Sequence, residues 1–322
     1  MVEVIYDGNL GNNLFQYCFG RILAETLGYK LVAPPIPGLP RTFDAVTGGD
    51  YCDCPTLTLR GQKPDLSFLK TASAKKYHLL LTGYFQRYEY YKPHVQRIRE
   101  WCQMEDDIEA DIGPRDVVLS IRRGRDYIPR YGLPLSYYET AIASLEHDRV
   151  HICTNEPDDP FIRYFVKKYG AVVRPGSFQG GRILPGYLAG ALDNLVFIQK
   201  FRKIVISNSS FAWWAAFLSD AEEIVYPRPA NGMWSPNDPV SKNIDLEVDE
   251  ERYKYLTCDA YRSQFLGEIL RNSYDGALAR TKSGLKALFP FLRRSKKMPV
   301  GEARYRFQED CDDGVDAETR VR

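Results

Sequence analysis

Three segments of this chain bring together residue types whose spacing allows chemistry on an anion. In the first, Ser120 to Tyr127 reads SIRRGRDY, and Arg122 and Arg123 directly follow the apolar run 117–121. A guanidinium is a planar fork of donors matched to phosphate or carboxylate. The run before it reads as a buried strand, and open α/β sheets bind ligands beyond the carboxyl ends of their strands. Most arginine pairs are surface ion-pair partners; the strand preceding this pair favours a binding role. In the second segment, Ser207, Asn208, Ser209 and Ser210 precede the apolar stretch 211–218. Each of the four can cap a helix, and the N–H groups and positive dipole end of such a helix attract anions. Alone, the pattern serves equally as an ordinary N-cap, and Trp213 and Trp214 read as core. In the third, Asp7 to Tyr17, Gly8 and Gly11 permit a tight turn and close approach of a ligand to the backbone. Their spacing is not a dinucleotide fingerprint and no phosphate-loop lysine follows, so the loop does not read as a dinucleotide or ATP site.

Elements must hold these residues in place. Residues 2–6 read as a strand, and apolar residues from Leu14 to Leu27 recur at helical spacing before Gly28, a C-cap. Further strands are expected at 30–33 and 78–84, with a proline- and glycine-rich loop over 34–64 and a helix over 90–104. After the break at Gly113 to Asp116, strands at 117–121, 149–153, 171–173, 203–206 and 223–226 alternate with helices at 136–147, 160–169, 190–201 and 211–219. Such alternation builds a doubly wound parallel sheet. The expected organisation is an α/β domain over 1–112, a Rossmann-like domain over 113–250, and a helical extension with a basic and mixed-charge tail over 251–322.

Bulk composition narrows the function classes. With 43 basic and 42 acidic residues, the net charge of +1 supplies no field for wrapping nucleic acid. Hydrophobic residues at 44% exclude disorder along the whole chain. The seven cysteines are odd in number, and Cys52 and Cys54 are too close for a zinc pair, so all read as reduced structural thiols. No signal peptide and no membrane span of ~18 apolar residues is visible, which makes the cytoplasm the expected location. The stretch 280–297 carries seven Arg or Lys and no acid, with Leu and Phe interleaved. It reads either as an amphipathic element at the inner face of a membrane or as a helix packed on the body.

Four motifs in order give the chain a likeness over about residues 4–235. GNLGNNLFQYCFGRILAETLG resembles GGLGNQMFQYAFGRALA; GYFQRYEYY, from Gly83 to Tyr91, resembles GYFQSEKYF; SIRRGRDY resembles HIRRGDY; SNSSFAWWAAFL resembles SNSSFSWWAAWL. Ile224 to Pro227 stands where a strand ends in proline. These patterns belong to the α-1,2-fucosyltransferases of glycosyltransferase family 11, which the chain resembles.

The resemblance implies a GT-B-like fold, two Rossmann-like halves facing across a cleft, and an inverting, metal-independent transfer from GDP-fucose to a glycan hydroxyl. No cofactor is implied beyond this donor. The first motif arginine, Arg122, would grip the diphosphate, with Arg123 beside it and Asp126 near the reacting groups. Ser209, Ser210 and Phe211 would touch phosphate and ribose, with Asn208 in the same turn. Asp193, sixteen residues before that turn, would accept from guanine. Gly8, Gly11 and Asn12 would approach the substrates. Three departures bear on guanine: Ser120 replaces the motif histidine, Arg125 shifts Asp126 by one residue, and Asn155 replaces a carboxylate that Glu156 or Asp158 would supply instead. Asp126, Asp7 and Glu89 are the candidate general bases, and His78, His94, His147 and His151 read as structural or surface. Two alternatives stay open: another nucleotide sugar on the same fold, and a non-catalytic relative that binds nucleotide or glycan.

Overall fold

The computed structural model describes residues 1–39, 54–67, 77–104, 108–124, 127–174, 185–230, 233–235 and 243–258, with backbone alone for 129, 130 and 185–189. Two parallel sheets organise it. The first contains β1 (Val2–Val4), β2 (Leu31–Val32), β3 (Thr56–Leu59) and β4 (His78–Leu81) in the order β2-β1-β4-β3. The second contains β5 (Val117–Ile121), β6 (Val150–Thr154), β7 (Val172–Val173), β8 (Lys203–Val205), β9 (Glu223–Pro229) and β10 (Tyr253–Cys258) in the order β10-β9-β8-β5-β6-β7. Every pairing is parallel. All five residues of β5 and all five of β6 are buried, as strands covered on both faces must be. Parallel strands with helices between them are the α/β architecture expected from the sequence.

In the second sheet the connections leave in opposite directions from one pair of central strands. From β5 the chain runs outward through β6 and β7, whereas β8, β9 and β10 build the other side. Such a reversal opens a crevice between the carboxyl ends of β5 and β8. In the first sheet the loops after the central strands β1 and β4 turn toward this crevice. One aromatic cluster joins the two halves. Helix α1 (Leu10–Leu27), which follows β1, packs on the helix after β8 (Ser210–Leu218, α8 below). Phe15 lies 5.0 Å from Trp213, 4.8 Å from Trp214 and 5.3 Å from Tyr91, centroid to centroid. All four are fully buried in a core continuous between the halves. Truncating one such aromatic removes roughly 3–5 kcal/mol.

The sequence expectations hold for most elements and fail at three places. Within the loop expected at 34–64, Thr56–Leu59 pairs with β4 as an edge strand; four residues of TLTL are too short for a periodic signal. The helix expected at 90–104 is broken into α2 (Tyr88–Tyr91), a 3-10 turn (Lys92–His94) and α3 (Val95–Trp101). Pro93 falls inside it and lacks the N–H that a continuous helix needs. Residues 253–258, expected to be helical, form strand β10 against β9, so the second sheet extends past the boundary set at 250. Its alternating Tyr, Leu and Cys pack on the sheet, and that pairing prevails over local helix propensity. Residues 259–322, including the basic stretch 280–297, lie outside the described residues. No helix among the described residues is long and apolar enough to cross a membrane.

The remaining helices are α4 (Ile128–Tyr131), α5 (Leu135–Ala143), α6 (Pro160–Tyr169) and α7 (Pro185–Gln199), with α8 as given. Among the described cysteines, Cys18, Cys102, Cys153 and Cys258 are reduced and buried. Cys54 is disulfide-bonded, which corrects the expectation that every thiol is reduced. Its partner lies outside the described residues.

Candidate active-site cleft

Between the two halves lies a cleft of about 210 Å³. From the first half it is lined by Asn9, Leu10, Gly11, Asn12, Tyr84 and Gln86. From the second come Ser120, Arg122, Tyr127, Thr154, Asn155, Ser207, Ser209, Ser210 and Phe211. The loops after β1, β4, β5, β6 and β8 therefore meet there, all from carboxyl ends of strands.

Two helices aim their amino ends into this space. Asn9 is the N-cap of α1 and Ser209 that of α8, and neither side chain bonds its own helix. Backbone N–H groups of the first turns are thus left to other acceptors, and both dipoles present their positive ends. The two ends touch. A Cβ on Gly11 would lie 2.4 Å from the Phe211 nitrogen and 2.6 Å from the Ser210 carbonyl carbon, so no side chain fits. Asn12 Oδ1 accepts from Ser210 Oγ at 2.9 Å and from Gln86 Nε2 at 2.9 Å, tying α1 to α8 and to the loop after β4.

Arg122 projects from the end of β5 into the cleft. Its guanidinium lies over the Tyr127 ring at 5.6 Å. Tyr127 Oη lies 2.9 Å from both the carbonyl and Oδ1 of Asn208, the residue before the α8 N-cap. One tyrosine thus connects the arginine to the serine turn. Burial raises its phenol above the ordinary tyrosine range, against the opposing pull of Arg122, so it stays a neutral donor. Asn208 also donates from Nδ2 to the Met233 carbonyl, 3.3 Å away. Asn208 is buried behind the lining and braces the turn, which corrects its expected place among substrate contacts.

Arg123 is likewise corrected. It is 1% exposed, donates from Nε to Asp159 Oδ2 at 3.1 Å and lies 4.1 Å over the Phe161 ring. Asp159 Oδ1 in turn caps α6 through the Phe161 N–H. The second arginine of the pair therefore points behind the cleft wall and anchors the β5 end to α6. Asn155 completes that anchor: its Oδ1 accepts from Arg123 N at 2.8 Å and its Nδ2 donates to Arg123 O at 2.7 Å. An ionised carboxylate could accept but not donate, which accounts for an amide at this position.

Gly8 is not among the lining residues. A Cβ there would sit 2.3 Å from Asn12 Nδ2, so Gly8 makes room for the Asn12 bridge. Asp193 is exposed on α7 and does not line the cleft either; Ala191 does. Arg125 and Asp126 lie outside the described residues. Of the other carboxylates, Glu89 is held by Arg87 at 2.7 Å, whereas Asp7 Oδ2 accepts from the hydroxyl of cleft-lining Tyr84 at 2.6 Å. Burial first, then the bond to Asp7, raises Tyr84 above the ordinary range. None of the four histidines lines the cleft. Among the described residues no three His, Cys, Asp or Glu side chains gather as a metal site.

Sequence reasoning did not assign Tyr84 or Gln86 to the site, and it carried Tyr127 and Ser207 only as members of their segments. A signal for the first two lies in GYFQ. Close approach of the Gly61 carbonyl, 2.2 Å from where a Cβ on Gly83 would sit, demands glycine there. Phe85 then takes φ 53, a region few non-glycine residues occupy. Stacking on Phe19 at 4.1 Å holds it, and its carbonyl accepts from Tyr91 Oη at 2.7 Å. The kink turns Tyr84 and Gln86 outward to the cleft on either side of a buried ring. Backbone strain of about 1–3 kcal/mol tends to persist where function requires a geometry.

No protein family matches the chain by its sequence profile, and no curated protein matches it. Among solved structures, E. coli heptosyltransferase WaaC with ADP aligns with 85% of this chain and 98% of that one, at 9% identity and a TM-score of 0.40.

Proposed function

We propose that the chain is an inverting glycosyltransferase moving L-fucose from GDP-fucose to a hydroxyl of a surface-glycan precursor, with O2 of galactose as the position the motifs imply. One observation carries the reading: in a single cleft between the two α/β halves, Arg122 converges with the uncapped amino ends of α1 and α8. That arrangement suits a group with two closely spaced negative charges. The four motifs described above supply the sugar and the base.

Rupture of the sugar–phosphate bond leaves a diphosphate with growing negative charge and an oxocarbenium-like sugar. Arg122, held over Tyr127, and the first turn of α8 stabilise that charge as it develops. The acceptor hydroxyl enters from the first half, attacks the opposite face of the anomeric carbon and inverts it. Asp7, oriented by Tyr84, takes the proton. The residues placed around the diphosphate are cationic or N–H donors, and no metal is required for this chemistry. The test is release of GDP from GDP-fucose: turnover supports the reading, and its absence with every acceptor tried contradicts it.

Asp193 favours a second reading of the donor alone. With that carboxylate exposed on α7, the guanine-specific acceptor has no assigned residue, and another nucleotide sugar fits the same diphosphate grip. Thermal shifts with GDP, UDP, dTDP and CMP separate the two, since a ligand that binds only the folded form raises the melting temperature. Stabilisation by UDP but not GDP would replace the donor.

A further inference from the structure

Ser207 lies two residues past the end of β8, at the crevice between β5 and β8. The registers Val117 with Lys203 and Leu119 with Val205 run the two strands side by side, so Ser207 is level with Ile121, one residue before Arg122. It is 1% exposed, yet it lines the cleft. Its backbone carbonyl accepts from the Ser209 N–H at 2.8 Å, which folds the turn into α8. Its hydroxyl has no hydrogen-bond partner among the described residues. Neighbouring polar groups are committed elsewhere: Asn208 to Tyr127 and Met233, Ser210 to Asn12, and Asn155 to Arg123. Leaving a buried hydroxyl unmade costs stability, and native proteins keep few of them without reason.

We infer that Ser207 is a binding residue of this cleft, its Oγ–H donating to a phosphate oxygen of the nucleotide diphosphate. The inference rests on the proposed donor site and adds a residue to it. Arg122, the α8 amino end and Ser207 all line the same cleft. Because its partner arrives with the ligand, the residue carries a distinctive signature. Replacing it should weaken binding without weakening the free protein, since removing an unsatisfied hydroxyl is neutral or stabilising.

The test compares wild type with Ser207→Ala, and with Ser207→Cys should the first not fold, by titration calorimetry with GDP, inorganic pyrophosphate and guanosine, and by melting without ligand. The expected result is about tenfold or greater loss of affinity for both GDP and pyrophosphate, as for a hydrogen bond to a charged group. The unliganded melting temperature should be unchanged or up by about 3 °C at most. Equal affinity of variant and wild type for both phosphates overturns the inference. So does a loss confined to guanosine, or a marked fall in the unliganded melting temperature. Wild type binding neither GDP nor pyrophosphate overturns the donor site itself, and Ser207's role with it.

Discussion

Gly11 and Phe211 meet where two helices begin, so closely that a single methyl group on Gly11 would lie 2.4 Å from the Phe211 nitrogen. One contact thereby fixes the distance between the halves of the molecule and the mouth of the cleft. The obstacle is backbone, which cannot swing aside. Gly11→Ala should destabilise the fold by about 1–3 kcal/mol, the usual cost of overpacking. It should also weaken GDP binding more than an equally destabilising change far from the cleft, such as Val166→Gly. Urea denaturation and calorimetry check both; an alanine variant as stable and as tightly bound as wild type contradicts the account.

The adjacent arginines should separate cleanly. Arg123→Ala leaves Asp159 without its buried partner and loosens the α6 cap, a class of change that costs about 3–5 kcal/mol. Its loss should register mainly in the denaturation midpoint. Affinity per folded molecule should fall less than in Arg122→Ala, whose stability should stay near wild type. Similar stability losses in both variants would contradict the division of roles.

Asp7 is held against a lining residue from the first half, through Tyr84. Asp7→Asn keeps the size and removes the base. Its kcat should fall by about 10²-fold or more while GDP binding is retained. Glu89→Gln should change kcat little, because Glu89 is bound to Arg87. Equal effects of the two substitutions would remove Asp7 from the mechanism.

Acid stability should depend on Asp116. Burial raises this carboxyl, but hydrogen bonds from Arg149, the Gly113 N–H and His151 outweigh it and leave its pKa below the ordinary range. Its contribution is therefore complete above the unfolded value near ~3.9 and is lost as pH falls through the lower folded value. Asp116→Asn should lower stability at neutral pH and flatten the acid limb below about pH 4. Denaturation midpoints at pH 7 and pH 3 test this, and parallel limbs in the two proteins would contradict it.

The sequence made the scaffold legible wherever a segment was long and its period clear. The apolar run before Arg122 marked β5, the spacing from Leu14 to Leu27 marked α1, and the serine cluster marked the start of α8. Side-chain direction was less legible. Arg122 and Arg123 are neighbours in sequence, but adjacent residues leaving a strand point to opposite sides, and only the packing of Phe161 and Asp159 decides which is buried. Asp193 stood at the right spacing from the serine turn, but a helix face is set by tertiary contacts that spacing does not record. The contributions of Tyr84 and Gln86 depend on a positive φ at Phe85, held by Phe19 from another element. The side-chain placements that spacing does not record are those set by what lies across the fold.

The proposal turns on Arg122 as the cation that meets the leaving diphosphate, and one rate measures it. Release of GDP from GDP-fucose should be readily detected with wild type and fall by about 10²–10³-fold in Arg122→Ala, the range for removal of one preorganised charge partner. The variant's melting temperature should hold. A variant that releases GDP at the wild-type rate would show that the diphosphate is gripped by other groups, and the account of this cleft would have to be abandoned.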